Sequence, residues 1–247
     1  MLSLEEDLVI IFVEPEHEGN IGSLARAMKN FGLKRLRLVN PKTRLGDYAK
    51  MMAADAVDVL GRALTFRSLD EAIRDLDIVV GTTAIYAKKP SNIRRTTIFP
   101  EEFASKIRNL SNCKIGIVFG RESSGLTNSE LDLCDFTVTI PASQEYPVLN
   151  VAIAAAIIFY EIHKNTTLEG RVSYTPTASK DIREKIIQYF NVLMDETNLQ
   201  NHKKRLALKS FRSIISRSFL SVKEAYYILT VFHRLHQLIK ILKSKAN

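Results

Sequence analysis

Apolar and polar positions along this chain follow two rhythms, which change over near residue 165. Before that point, short unbroken apolar runs alternate with stretches of helical period; after it, the period is helical throughout. Leu8–Val13 is a continuous apolar run of the kind that makes a parallel strand covered on both faces. It ends at EPEHEGNIG. Ile21, Leu24, Ala25, Met28 and Phe31 then mark the inner face of a helix, with Asn20 at the expected cap and Arg26 in the first turns. Leu36–Val39 predicts a second strand closed by Asn40-Pro41, and an alanine-rich helix follows around Ala49–Val59. Ser68 and Glu71 form a capping box for a helix reaching Leu76, and Asp77–Gly81 predicts the next strand, leading to Thr82-Thr83. A long basic loop, AIYAKKPSNIRRTT, precedes a helix over Pro100–Leu110.

The stretch from Ile115 to Ile162 carries the densest punctuation. It reads as a buried strand (Ile115–Phe119), a glycine-bracketed loop (Gly120–Gly125) and a short helix boxed by Thr127 and Glu130. A strand over Phe136–Ile140, a polar loop holding Pro141 and Pro147, and a helix opening at Asn150 complete it. That last helix is apolar on nearly every side, so it needs more cover than a sheet provides. Its alanines (Ala152, Ala154, Ala155, Ala156) admit another backbone at close range, and a homodimer contact would supply the cover.

Strand–helix alternation of this kind predicts an α/β fold, a doubly wound and mostly parallel sheet. Loops at the carboxyl ends of its strands are where such sheets place ligands. Residues 1–164 form that domain, and 165–178, polar and holding Gly170 and Pro176, read as a linker. Residues 179–247 form a small all-helical extension. Ser179 caps its first helix, whose face holds Ile182, Ile186, Phe190 and Leu193. Arg205, Lys209, Arg212 and Arg217 line a middle helix. Ser221 and Glu224 box the last, whose stripe includes Leu229, Phe232 and Leu242.

Charge sharpens this division. The net +8 is confined to the end of the chain: residues 1–164 sum to −1 and residues 165–247 to +9. A neutral body with a basic appendage points to a polyanionic partner, unless the charges are simply a solvated helical surface. Two cysteines, Cys113 and Cys134, are too few for a disulfide framework and are expected to pack as small apolar groups. No signal peptide or membrane-spanning run is evident, so a cytoplasmic protein is expected.

The residues exclude several chemistries. The turn after the first strand has no GxG core, which disfavours a dinucleotide fold and the common class of methyltransferase, and no phosphate-loop signature occurs. His233 and His236 lie one helical turn apart without a nearby carboxylate or cysteine, so no metal is expected. Neither cysteine has a sequence-level catalytic partner. Three polar loops remain: Glu18–Arg26, Gly120–Gly125 and Pro141–Asn150.

These loops resemble, in order and spacing, the three motifs of the SPOUT superfamily of RNA methyltransferases: GNIGSLARAMKNFG, FGRESSGLT and IPASQEYPVLNVAIAAAI. The likeness covers almost all of residues 8–163, and GLTN, EYPVLN and the helical extension look most like the TrmJ-type enzymes. The resemblance implies a sheet whose C-terminal part threads a deep trefoil knot, which sequence reasoning alone would not propose. It implies a homodimer that uses S-adenosylmethionine to methylate a ribose 2′-hydroxyl in the tRNA anticodon loop, at position 32, on cytidine or uridine. By motif match the methyl donor is held by Thr82, Thr83, Ala84, Gly120, Ile140, Pro147, Val148 and Leu149. Arg26, Asn20, Glu122 and Asn150 match the family's catalytic positions.

Arg26 is expected to hold the target phosphate or stabilise alkoxide charge, since deprotonating arginine is too costly for a simple base. Each assignment has a plainer counterpart. Arg26 can be a surface ion pair, Asn20 and Asn150 helix caps, Glu122 a loop charge held by backbone amides, and Thr82 and Thr83 ordinary strand ends. Lys88, Lys89, Arg94, Arg95, Arg205, Lys209 and Arg212 are expected to meet the RNA, while Arg121 suits either RNA or the donor's carboxylate. Two rival functions stay open: the same reaction on ribosomal RNA, and a non-catalytic RNA-binding protein of the same fold.

Overall fold

Six apolar residues in a row can be satisfied only between two layers of cover. The computed structural model places Leu8–Val13 there as β1, with every side chain buried. Residues 3–84, 96–167, 176–197 and 199–246 are described. The chain divides into two units, Met1–Tyr174 and Thr175–Asn247. In the first, β1 is followed by α1 (Glu18–Asn30), β2 (Arg35–Val39), α2 (Asp47–Ala53), α3 (Val57–Gly61), β3 (Leu64–Phe66), α4 (Leu69–Ile73) and β4 (Ile78–Thr82). Then come β5 (Thr97–Ile98), α5 (Pro100–Ile107), β6 (Ile115–Phe119), α6 (Asn128–Asp132), β7 (Phe136–Val138) and α7 (Val151–Thr167).

Among the described residues the strands form one seven-stranded sheet in the order β3-β2-β1-β6-β4-β7-β5, parallel at every pairing. Leu8 and Ile78 both align with Ile115, so β6 lies between β1 and β4. Strand order runs outward from β1 to β3 and then restarts on the other side of β1. Such a reversal opens a crevice at the carboxyl ends of the central strands. Val9, Ile11 and Val13 pack beneath Leu69, Ala72 and Leu76 at α4 on one face. On the opposite face α7 contacts both α1 and α5, with Phe159 edge-on to Phe119 at 6.1 Å. Helices on both faces make the doubly wound architecture expected from the pattern.

Several boundaries differ from expectation, each for a local reason. The helix over Ala49–Val59 is broken at Ala54, whose φ of 48° lies in the left-handed region, and a 3₁₀ turn joins α2 to α3. β3 and β5 are short strands, three and two residues long, which a period-two pattern cannot announce. α7 runs to Thr167, into the expected linker, and residues 168–175 lie outside the described residues. Arg37, a charge in the strand run, is buried in β2. It is held bidentate by Asp75 at 2.6 and 2.9 Å and by the carbonyl of Ala72, and its guanidinium pulls the Asp75 carboxyl down to about 2.

The second unit comprises α8 (Lys180–Asp195), α9 (Asn201–Arg217) and α10 (Val222–Ala246) around Ile186, Ile187, Ile215 and Ala225. Phe190 and Phe211 stack at 4.0 Å within it. The Ser179 cap and the Ser221–Glu224 box form as expected, but Leu242 does not join the core; it is 67% exposed. Among the described residues no helix is long and apolar enough to cross a membrane.

Candidate active site

Because β1, β6, β4 and β7 are consecutive across the sheet and all parallel, their carboxyl ends share one edge. The loops leaving them carry Glu14–His17, Gly120–Thr127, Thr83-Ala84 and Thr139–Asn150. Sheet topology alone therefore gathers segments more than a hundred residues apart in sequence.

Glu122 ties the first two loops together. One carboxylate oxygen accepts the backbone N–H of Glu16 at 2.8 Å; the other accepts that of His17 at 3.1 Å and the side-chain amide of Asn20 at 3.0 Å. Asn20 is not the cap of α1, as its position suggested: His17 holds that place, and Asn20 lies in the first turn. Freed from capping, its amide oxygen accepts Nδ2 of Asn150 at 3.0 Å. The Oδ1 of Asn150 in turn accepts the backbone N–H of Ala152 at 2.9 Å, so Asn150 both caps α7 and closes the chain of bonds. Glu122, Asn20 and Asn150 thus form one relay linking three polar loops.

Glu16 returns the contact: its carboxylate accepts the N–H of Ser123 at 3.1 Å and its hydroxyl at 2.7 Å. Arg121, beside Glu122, is held by groups of its own chain. Its guanidinium donates to Glu14 at 2.8 Å, to both oxygens of Glu130 at 2.9 Å and to the Gly125 carbonyl at 3.2 Å. These internal partners take up four of its five N–H donors. Hydrogen bonding to Arg121 holds the Glu14 carboxyl below the usual range. For Glu130, burial works upward, but the same guanidinium and the Thr127 backbone outweigh it.

At Gly120 the close approach is to the chain itself. A Cβ there would lie 2.2 Å from the Gly125 carbonyl carbon and 2.3 Å from the Leu126 nitrogen. Thr82 donates its hydroxyl to the Val118 carbonyl at 2.9 Å, and the N–H of Thr83 to that of Val138 at 3.0 Å, which ties β4 to both neighbours. Ala84 is exposed. Ile140 and Leu149 are half-buried, and the intervening residues, Pro147 and Val148 included, are all exposed, leaving that loop's side chains open along the sheet edge.

From Gly19 to Met28 in α1, Arg26 is the one exposed residue, and no hydrogen bond or ion pair among the described residues holds its guanidinium. Arg205, Lys209 and Arg212 recur at i, i+4 and i+7 on α9; Arg205 and Arg212 are exposed, and Arg212 is paired with Glu184. Lys88, Lys89, Arg94 and Arg95 lie outside the described residues. Glu14, Glu16 and Ser123 were not singled out from sequence, and Glu130 was read only as a capping residue. The signal was the run EPEHE directly after a buried strand, where carboxylates at alternate positions face the next loop.

Comparison with known proteins fits this geometry. Residues 7–160 match the model of the SpoU rRNA Methylase family. The chain is 40% identical over 228 residues to the tRNA (cytidine-2′-O-)-methyltransferase TrmJ of Methanocaldococcus jannaschii, covering 90% of this chain and 97% of that one. It is 42% identical over 158 residues to the tRNA (cytidine/uridine-2′-O-)-methyltransferase TrmJ of Escherichia coli, covering 64% of this chain and 63% of that one. Among solved structures, TrmJ from Z. mobilis superposes with a TM-score of 0.64 at 28% identity, covering 92% of this chain and 98% of that one.

Proposed function

This chain belongs to the SpoU rRNA methylase family, and we propose that it transfers a methyl group from S-adenosylmethionine to a ribose 2′-hydroxyl of tRNA. The observation that carries the reading is the Glu122–Asn20–Asn150 relay, which joins the family's three motifs at one sheet edge. tRNA is preferred to ribosomal RNA because the archaeal relative, alike over nearly its whole length, is named for tRNA. The proposed target is nucleotide 32 of the anticodon loop, cytidine or uridine. A C-terminal trefoil knot, through which the segments after β6 and β7 would thread, is part of the proposal.

Three adjacent strand ends fit the donor. Thr82–Ala84, Gly120, Ile140 and Pro147–Leu149 would hold it, with Gly120 letting its own loop fold back closely and the exposed 141–148 loop leaving one side open. S-adenosylmethionine supplies a methyl group on a cationic sulfur, which leaves without acid catalysis. Positioning of the hydroxyl therefore dominates the rate. Arg26 would grip the adjoining phosphate or stabilise developing alkoxide charge. Glu122, with both oxygens already accepting hydrogen bonds, serves to fix α1; as the oxygen–methyl bond forms and the methyl–sulfur bond breaks, the hydroxyl proton passes to solvent water. The face of α9 bearing Arg205, Lys209 and Arg212 would hold tRNA phosphates, together with Lys88, Lys89, Arg94 and Arg95. A methylation assay on purified tRNA and ribosomal RNA, with nucleotide mapping, should place the methyl on tRNA nucleotide 32. Transfer only to ribosomal RNA, or no calorimetric binding of S-adenosylmethionine, would refute the proposal.

A homodimer completes this reading. On α7, Ile153 and Tyr160 are more than half exposed, and Ile157 lies between them at i+4, so one apolar stripe faces outward. Tyr146 and Val148 in the preceding loop extend it. Sedimentation should show a dimer for the native chain and a monomer without transferase activity for Ile157→Glu. A native monomer at micromolar concentration would rule the dimer out.

A further inference from the structure

Arg121 has five N–H donors in a planar fork, and four of them are spent inside the protein. Its side chain is only 16% exposed. Each partner carries a second duty. Glu130 accepts the N–H of Thr127 at 2.7 Å, so the carboxylate that grips Arg121 also starts α6. Glu14 closes β1 with a φ of 45°, a left-handed conformation that side chains rarely adopt. It also accepts Nδ2 of Asn40 at 2.6 Å and lies 3.2 Å from Nζ of Lys42. Asn40, at the end of β2, has a φ of 44°. Strained residues at the ends of two neighbouring strands thus aim a carboxylate at one arginine.

Glu122 and the Glu16–Ser123 clasp tie the first part of the loop from Gly120 to Thr127 to the segment after β1, and paired backbone bonds join Arg121 to Gly125. Among the described residues, the Arg121 side chain alone links both ends of the loop to Glu14. A bidentate guanidinium–carboxylate pair sets direction as well as distance, which a lysine or an apolar contact does not. We propose that Arg121 is a positioning residue: braced between Glu14 and Glu130, it fixes the Gly120–Thr127 loop against the end of β1. With the Glu16–Ser123 clasp, it thereby sets the spacing between the methyl-donor cradle and α1, which presents Arg26. The inference rests on the methyl-transfer reading above and assigns a role to residues outside its catalytic set.

The test uses the full-length protein and the variant Arg121→Lys, which keeps the charge and loses the fork. Calorimetry with S-adenosylmethionine should show affinity weakened at least tenfold. Amide hydrogen exchange should speed up in residues 121–127 and stay unchanged in α10. tRNA affinity and its salt dependence should match the native protein. A direct RNA contact predicts the reverse: native donor affinity, with weaker tRNA binding in Arg121→Ala and a salt slope reduced by about one. Native donor affinity with native loop exchange would also overturn the proposal, even if the melting temperature falls. Should Arg121→Lys fail to fold, Glu14→Gln, equal in shape, should produce the same loss of donor affinity. Where both variants fold, the double variant should be no weaker than the worse single one, whereas additive losses would overturn the brace. Failure of the native protein to bind the donor would instead strike the functional reading, because loop exchange is read without any ligand.

Discussion

Arg26→Ala is expected to reduce methyl transfer by about 10²–10³-fold, the usual loss when one donor to a developing oxyanion is removed. Donor binding should be unchanged. The argument has two parts. In α1 the residues around Arg26 are buried or half-buried and fix the helix, whereas Arg26 is exposed and holds no ion pair among the described residues. Exposed residues without partners contribute little to stability, so the melting temperature should move by no more than a degree or two. Arg26→Lys should recover part of the rate, since a cation remains but the fork is lost. Single-turnover rates with saturating donor separate chemistry from binding. A variant that keeps more than a tenth of the native rate would remove Arg26 from the reaction.

Gly120→Ala is expected to act in the opposite way, through the fold of the site. The added carbon would sit 2.2 Å and 2.3 Å from backbone atoms of Gly125 and Leu126, and backbone cannot swing aside as a side-chain tip can. Overpacking of this kind costs about 1–3 kcal/mol, here concentrated in one loop. The loop should open, donor binding should become undetectable by calorimetry, and the melting temperature should fall. Gly61→Ala is the matched control: nothing lies within 4 Å of its added carbon, and stability should be native or slightly higher. Native donor affinity in Gly120→Ala would show that the loop tolerates the wider shape and that Gly120 does not define the cradle.

Much of the scaffold was legible because its strands are unbroken apolar runs. Leu8–Val13 and Ile115–Phe119 were read with the bounds observed, and of three capping boxes those at Thr127 and Ser221 formed, while at Ser68 the hydroxyl caps the helix but Glu71 accepts the N–H of Arg67 instead. Short edge strands were not legible, since two or three residues carry no period. The site was legible as three loops but not as a network. Asn20 looked like a cap because a helix cap and a hydrogen-bonding amide ask for the same residue type. Nor does sequence show that Glu14 and Glu130 reach Arg121. The glycines of the first motif were ambiguous in the same way. Gly22 lies where a Cβ would meet the Ala49 carbonyl oxygen at 2.1 Å, so it serves the packing of α1 on α2.

The position of β6 bears on how the chain is made. β1 emerges early, yet its inner neighbour arrives much later: Glu14 and Arg121, at the paired ends of the two strands, are 107 residues apart. At ordinary rates of synthesis roughly 5–20 s separate them. In the later part of that interval β1, β2 and β3 have been made, while the strand that pairs with the other edge of the wholly apolar β1 has not. Exposed backbone of that kind invites pairing with another ribosome's product, so the cell's chaperones have a defined edge to shield until Phe119 clears the exit tunnel.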